Sequence, residues 1–272
     1  MEIIQQLTET VDYIRSEYTG KVQTGIVLGS GLGNLVNEIQ IEKEIPYGQI
    51  PHFPVSTVKG HSGKLIFGEL NGKKVVAMSG RFHFYEGYDT TQVTFPVRVM
   101  KLLGVETLLL SNAAGSVNPT FKVGDIVAIR DHVSFFTPNP LVGKNIEELG
   151  TRFPDMSEPY SLKLIAKAKE IAQAKNYELK EGVYVGVTGP TFETHAEYRL
   201  IKALGGDLVG MSTVQECIVA NHAGMKVFCI SVVTDEGIRE TENKITHEEV
   251  LEAATAAEPK LSAIFKGLVE CL

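Results

Sequence analysis

Ile26-Val27-Leu28-Gly29-Ser30-Gly31-Leu32-Gly33 passes from an apolar run into three glycines within five residues. A short apolar run bounded by glycine predicts a buried strand, and the glycines predict a tight loop that leads into a helix. The free backbone N–H groups of such a loop, set at a helix N-terminus, make an anion site. Two familiar phosphate loops are excluded by single positions. The dinucleotide fingerprint needs Gly where Asn34 stands, and the nucleoside-triphosphate loop needs a Gly-Lys-Ser/Thr ending that is absent. A glycine turn that only lets strand and helix pack closely has the same appearance, so this loop gains meaning only from other segments.

Outward from the loop, apolar side chains at Ile3, Ile4, Leu7, Val11 and Ile14 form a helical stripe over 2–17 that ends before Gly20. Runs at 65–67 and 75–78 flank Asn71-Gly72, a dipeptide suited to a type I′ hairpin because both central residues need positive φ. Short β-branched or apolar runs at 107–110, 126–129, 183–187 and 227–233 predict strands. Between several of them lie helical patterns at 91–103, 160–176, 194–204 and 213–223. Thr246-His247-Glu248-Glu249 is a capping box that opens a last helix. Strands alternating with helices predict an α/β fold, a mixed and largely parallel twisted sheet surrounded by helices.

The chain has 272 residues, 43% hydrophobic and 22% charged, enough apolar side chain for a sizeable core. No Pro/Gly/Ser-rich or charge-rich linker divides it, so residues 1–272 are expected to form one domain. A net charge of -7 argues against a surface built to neutralise nucleic-acid phosphates, though not against a local pocket for a small anion. Met1-Glu2-Ile3-Ile4-Gln5 lacks a basic n-region followed by an apolar stretch, and no apolar run approaches the roughly 20 residues that span a bilayer. Cys217, Cys229 and Cys271 are odd in number and have no metal-ligand spacing. The expectation is a cytoplasmic protein with reduced thiols, no membrane or nucleic-acid partner and no metal.

Three further segments carry chemistry. Ser79-Gly80-Arg81-Phe82-His83-Phe84-Tyr85-Glu86-Gly87 follows a predicted strand and places a guanidinium, an imidazole and a phenol within five residues. Arg81 and His83, at alternate positions of an extended loop, point the same way, and both donate well to phosphate oxygens. The competing reading is a surface Arg81 paired with Glu86 and a core histidine. Gly189-Pro190-Thr191-Phe192-Glu193-Thr194 sets an aromatic ring beside a carboxylate, which suits a planar heterocycle whose ring N–H bonds Glu193. It equally suits a core Phe192 and a Glu193 that favours a helix N-terminus. Gly210-Met211-Ser212-Thr213 puts two hydroxyls at a helix start, either as ligands or as an ordinary N-cap.

These segments in this order, together with Pro46-Tyr47-Gly48, Gly60-His61-Ser62-Gly63, Ser111-Asn112-Ala113-Ala114-Gly115 and Val123-Gly124-Asp125, resemble the trimeric class of purine nucleoside phosphorylases over nearly the whole chain. The resemblance implies a partly barrel-like mixed sheet, a homotrimer with sites near subunit boundaries, inorganic phosphate as co-substrate, and no metal or organic cofactor. It implies that Ser30, His61, Arg81, His83, Ala113 (through its N–H) and Ser212 hold phosphate. Tyr85, Met211 and His247 would meet the ribose, and Phe192, Glu193 and Asp235 the base, with His83, Glu193 and Asp235 the catalytic set. Phe135 and Phe136 are candidates for the aromatic residue that such enzymes supply to a neighbouring subunit's sugar pocket.

The reaction so implied leaves positive charge on the sugar and negative charge on the departing purine, so a site must stabilise both ends of a stretched bond. One position departs from the family pattern. Val233-Thr234-Asp235-Glu236-Gly237 has Asp235 where members restricted to 6-oxopurines usually carry Asn. Ionised Asp235 accepts hydrogen bonds only, which favours a 6-amino group; protonated, it would donate, and nearby Glu193 favours protonation of one of the two. The expected activity is reversible phosphorolysis of purine nucleosides with tolerance of 6-aminopurines. A methylthioadenosine phosphorylase is the alternative, and a water-dependent nucleosidase or a non-catalytic nucleoside-binding protein are more remote ones.

Overall fold

The computed structural model describes residues 2–57, 62–238 and 245–272. In chain order the elements are α1 (Ile3–Glu17), β1 (Thr24–Leu28), β2 (Gln40–Pro46), β3 (Lys64–Leu70), β4 (Lys73–Ser79), α2 (Thr90–Leu103), β5 (Thr107–Ser116), β6 (Ile126–Val133), α3 (Leu162–Ala174), β7 (Leu179–Gly186), α4 (His195–Ala203), β8 (Leu208–Gly210), α5 (Val214–His222), β9 (Lys226–Glu236) and α6 (His247–Cys271). Among the described residues the strands make one sheet in the order β2-β3-β4-β1-β5-β8-β7-β6-β9, and β5 also pairs with β9. Strands β5, β8, β7, β6 and β9 therefore close on themselves, while β1, β4, β3 and β2 extend from β5 as an open wing. Five pairings are parallel and four antiparallel. This is the expected mixed sheet, barrel-like in one half, with helices packed around it.

Strand β1 is buried along its whole length between parallel neighbours, which is why Ile26-Val27-Leu28 is apolar on both faces. The hairpin β3–β4 turns at Asn71 (φ 47°) and Gly72 (φ 78°), the positive-φ pair its dipeptide called for. Helix α2 starts at a reciprocal Asp89–Gln92 capping box and stops at Gly104 with φ 112°. The predicted helix after the glycine loop is instead a six-residue 3-10 segment, Gly33–Glu38, too short to build up a helix dipole. Strand β2 escapes sequence reading because Gln-Ile-Glu-Lys-Glu-Ile-Pro is a mostly exposed, charged edge strand.

Longer strands than expected carry the site. β5 runs past its apolar 107–110 core through the small and polar residues to Ser116, because the neighbouring β9 supplies a partner throughout. The β5–β9 register is regular from Thr107↔Lys226 to Ala114↔Val233 and then jumps to Gly115↔Asp235, so Thr234 is bulged out. Among the described residues, no helix is long and apolar enough to cross a membrane.

Helix α6 packs on β9 through Phe265 and Phe228, both fully buried, with ring centroids 6.2 Å apart. Phe265→Ala is expected to cost about 3–5 kcal/mol of unfolding free energy, whereas Leu162→Ala on an exposed helix face costs less than about 0.5 kcal/mol. Chemical denaturation of both variants beside the parent checks the contrast.

Candidate functional site

One cavity of about 380 Å³ opens at the C-terminal ends of the strands. Ser30 enters it from the loop after β1, Arg81, His83 and Tyr85 from the loop after β4, and Asn112 to Gly115 from β5 itself. Phe192 and Glu193 come from the segment after β7, Met211 and Ser212 from the end of β8, Thr234 and Asp235 from β9, and His247 with Val250 from the first turns of α6. Strands β1, β4, β5 and β9 run parallel and end on one side of the sheet, which brings their loops together. Strand β8 instead runs antiparallel to β5 and meets it at Gly115↔Val209, where the segment after β8 reaches the same cavity. The residues assigned from sequence to phosphate, ribose and base line this cavity, apart from His61, which lies outside the described residues. Phe135 and Phe136 line two other surface grooves, and Phe135 is 85% exposed.

Arg81 is 1% exposed and does not pair with Glu86. Its Nε and Nη2 donate to Glu216 Oε1 and Oε2 at 3.2 and 2.8 Å, a two-pronged ion pair. Nη1 donates to the Ser111 carbonyl at 2.6 Å and to Ser212 Oγ at 3.2 Å, at the edge of the cavity. Glu216 escaped sequence reading, yet its signal is visible: a carboxylate in the apolar run Val214-Gln215-Glu216-Cys217-Ile218-Val219 of a helix buried on nearly all sides needs a cation.

Glu86 serves His83 instead. Glu86 Oε1 accepts from the His83 backbone N–H at 2.8 Å and lies 2.9 Å from His83 Nδ1, while Oε2 accepts from Thr57 N and Oγ1 at 2.8 and 2.6 Å. Burial pushes this carboxyl up, but the hydrogen bonds from His83 and Thr57 outweigh it and hold it at about 2. An ionised Glu86 keeps the proton on Nδ1 and so fixes the tautomer of His83. The ring of Tyr85 stacks on the imidazole at 4.7 Å and 16°.

Ser212 is presented by a strained turn. Thr213 has φ 73° and ψ -47°, and Val214 N–H donates to the Ser212 carbonyl at 2.7 Å, the i to i+2 bond of a positive-φ γ-turn. A β-branched residue in this region costs on the order of 1–3 kcal/mol and persists only where its surroundings hold it. Asn112 does so: its Nδ2 donates to Thr213 Oγ1 at 2.8 Å, and its Oδ1 accepts from Ser231 Oγ at 2.6 Å.

At the far end, Asp235 is 5% exposed and Thr234 Oγ1 lies 3.2 Å from its Oδ1. Strict alternation would turn consecutive residues to opposite faces, and the bulge in β9 is why Thr234 and Asp235 both line the cavity. A Cβ on Gly115 would fall 2.8 Å from Asp235 Oδ2, so glycine makes the room for this carboxylate. The Glu193 pKa is raised, first by burial, with the charges of Asp235 and Glu197 adding to it. Among the described residues, no group of three or more His, Cys, Asp or Glu side chains is arranged to hold a metal.

A family profile described as "Phosphorylase superfamily" matches residues 23–270. The chain belongs to the phosphorylase superfamily, and within it to the purine nucleoside phosphorylases, a family of pentosyltransferases. It is 48% identical over 263 residues to purine nucleoside phosphorylase 1 of Geobacillus stearothermophilus, covering 97% of this chain and 96% of the relative. It is 50% identical over 262 residues to the purine nucleoside phosphorylase of Bos taurus, covering 93% and 90%. The crystal structure of Schistosoma mansoni purine nucleoside phosphorylase in complex with adenosine superposes with a TM-score of 0.94 at 41% identity, covering 99% of this chain and 98% of that one. A complex of a schistosoma purine nucleoside phosphorylase with hypoxanthine gives the same TM-score of 0.94 and 41% identity.

Because the Glu86 carboxyl is held lower in the folded chain than when unfolded, its stabilisation is complete above 4.5 and is lost as the pH falls towards about 2. Glu86→Gln is therefore expected to lower the thermal midpoint near neutral pH, and its deficit relative to the parent is expected to shrink below pH 4.5. Melting curves of both proteins across that range check this, and a deficit that does not change with pH contradicts it.

Proposed function

We propose that this chain catalyses the reversible phosphorolysis of purine ribo- and deoxyribonucleosides, yielding free base and pentose 1-phosphate. The observation that carries the proposal is the division of one cavity into two chemistries. One end gathers the donors Ser30, Arg81, His83, Ser212 and the β5 backbone at Ala113, and the other pairs an aromatic ring, Phe192, with the carboxyl groups of Glu193 and Asp235. The first end suits a tetrahedral dianion and the second a planar, nitrogen-rich base. We assign Ser30, His61, Arg81, His83, Ala113 N–H and Ser212 to phosphate, Tyr85, Met211 and His247 to the sugar, and Phe192, Glu193 and Asp235 to the base.

Chemistry follows from these assignments. An oxygen of phosphate, fixed beneath C1′, attacks as the C1′–N9 bond breaks and its electron pair passes to the purine. The dianion also stabilises the positive charge that develops on the ribosyl group, and its fixed position lowers the entropic cost of attack. Since Glu216 neutralises Arg81 and Glu86 faces His83, the anion is held by oriented donors more than by excess positive charge. Glu193, with its raised pKa, is suited to carry a proton and to donate or accept at the ring nitrogens of the leaving base. No covalent enzyme intermediate and no cofactor enters the scheme.

Asp235 sets the base range. As a carboxylate acceptor it favours a 6-amino donor over a 6-oxo acceptor. The proposal extends to assembly: Phe135, Val142 and Phe153 are each more than four-fifths exposed beside one groove, an apolar patch that suits burial against other copies in a homotrimer. In that trimer Phe135 or Phe136 closes a neighbour's sugar pocket. A cytoplasmic enzyme acting on small purine nucleosides, with residues 1–272 as one catalytic domain, completes the reading.

Base release from inosine, adenosine and methylthioadenosine is expected to require added phosphate, with adenosine accepted. Asp235→Asn is expected to shift the adenosine-to-inosine ratio of kcat/KM towards inosine by about ten- to a hundredfold, the worth of one mismatched buried hydrogen bond. Release of base without phosphate would sink the phosphorylase reading, and an unmoved ratio would sink the role of Asp235. Sedimentation velocity is expected to give three copies for the parent and a smaller species for Phe153→Asp.

A further inference from the structure

The glycine loop after β1 does not stand by itself; it rests along one stripe of α6. Leu251, Ala254, Thr255 and Glu258 recur at the spacing that puts them on a single helix face. A Cβ on Gly31, whose φ is 73°, would lie 2.8 Å from the Ala254 Cβ and 3.1 Å from the Leu251 carbonyl, so loop backbone and helix are in direct contact. Thr255 Oγ1 donates to the Gly31 carbonyl at 3.3 Å. One turn further on, Glu258, only 2% exposed, accepts from the Leu35 backbone N–H at 3.0 Å through Oε1 and from the Asn34 side-chain amide at 2.5 Å through Oε2.

A buried carboxylate is costly to keep unless its oxygens are satisfied, and these two are satisfied by the first turn of the 3-10 segment that ends the loop. Burial raises the Glu258 carboxyl, opposed by hydrogen bonds from Leu35 and Asn34. The same helix brings His247 and Val250 to the cavity at its other end. The loop that carries Ser30 is thus held at two ends: Gly29 N–H donates to Ser111 Oγ of β5 at 3.1 Å on the strand side, and Asn34 and Leu35 are held by Glu258 on the helix side. Arg81 and Ser212 are held by Glu216, Ser111 and each other.

We propose that Glu258 is a positioning residue for the reaction: by clamping Asn34 and Leu35 onto α6 it sets the place of the Ser30 loop, and hence the affinity for phosphate, without touching either substrate. This rests on the assignment of phosphate to the Ser30 end of the cavity. The clamp bears on the loop that carries Ser30 and on no residue assigned to the sugar or the base, so its removal separates the kinetic constants of the two substrates.

Steady-state kinetics of Glu258→Ala, Glu258→Gln and Asn34→Ala, with phosphate and inosine varied in turn, test it. Glu258→Ala is expected to raise the KM for phosphate by about ten- to a hundredfold, as misplacement by about an ångström does, with the KM for inosine changed less than about threefold. Glu258→Gln, which keeps one acceptor, falls between, and Asn34→Ala is expected to add little once Glu258 is already Ala. Should Glu258→Ala fail to fold, Glu258→Gln and the solvent-exposed Asn34→Ala carry the comparison. Equal KM for phosphate in parent and variants overturns the proposal, as do parallel losses for both substrates that track a lowered thermal midpoint. Failure of the underlying assignment looks different: the parent itself would then release base without phosphate.

Discussion

The parallel ladder between β5 and β9 is the constraint on which the rest of the molecule depends. It closes the strand ring, joins that ring to the open wing through β5, and extends far enough to bring the small residues of Asn112-Ala113-Ala114-Gly115 against the end of β9. Its single slip, between Ala114 and Gly115, turns two consecutive β9 side chains to one cavity. Without that slip, Thr234 and Asp235 would face opposite sides of the sheet, and the base end of the cavity would lose one of its polar groups.

Around this ladder the polar groups of the site come in buried, hydrogen-bonded pairs. Arg81 with Glu216 and His83 with Glu86 each carry one partner that faces the cavity and one that orients it. Desolvating such groups is unfavourable, and the hydrogen bonds that Arg81 donates to Ser111 and Ser212, and that Glu86 accepts from Thr57, are what make it tolerable. The strained γ-turn at Thr213 belongs to the same scheme. Asn112, anchored by Ser231 across the β5–β9 ladder, holds Thr213 and thereby sets Ser212 beside Arg81. Strain of this kind fixes a side chain in a site because the neighbouring structure, not the local chain, determines the backbone.

How much of this was legible in advance varies with the range of the interaction involved. Asn71-Gly72 announced its hairpin, and Thr246 and Glu249 announced the start of α6, because turn and cap chemistry is completed within four residues. The glycine loop was legible as a loop, but its sequel was not: Gly33–Glu38 form a 3-10 segment held by Glu258, more than two hundred residues away. Arg81 stood out as a candidate, while the competing reading that paired it with Glu86 falls, since Glu86 is near in sequence and Glu216 is near only in the fold.

The sequence by itself therefore determined the apolar strands and the long helices, though not the edge strand β2 or the three-residue β8, together with several of the turns and caps that bound them and, through its resemblance to a known family, the set of side chains to watch. Only the tertiary structure decided the closure of the ring, the bulge that aims Asp235, the partner of Arg81 and the seat of the glycine loop on α6. The physical reason is that periodicity and capping depend on neighbours along the chain. Register, ion pairing and burial depend instead on where two distant segments come to rest against each other, and the same local residues are compatible with several such outcomes.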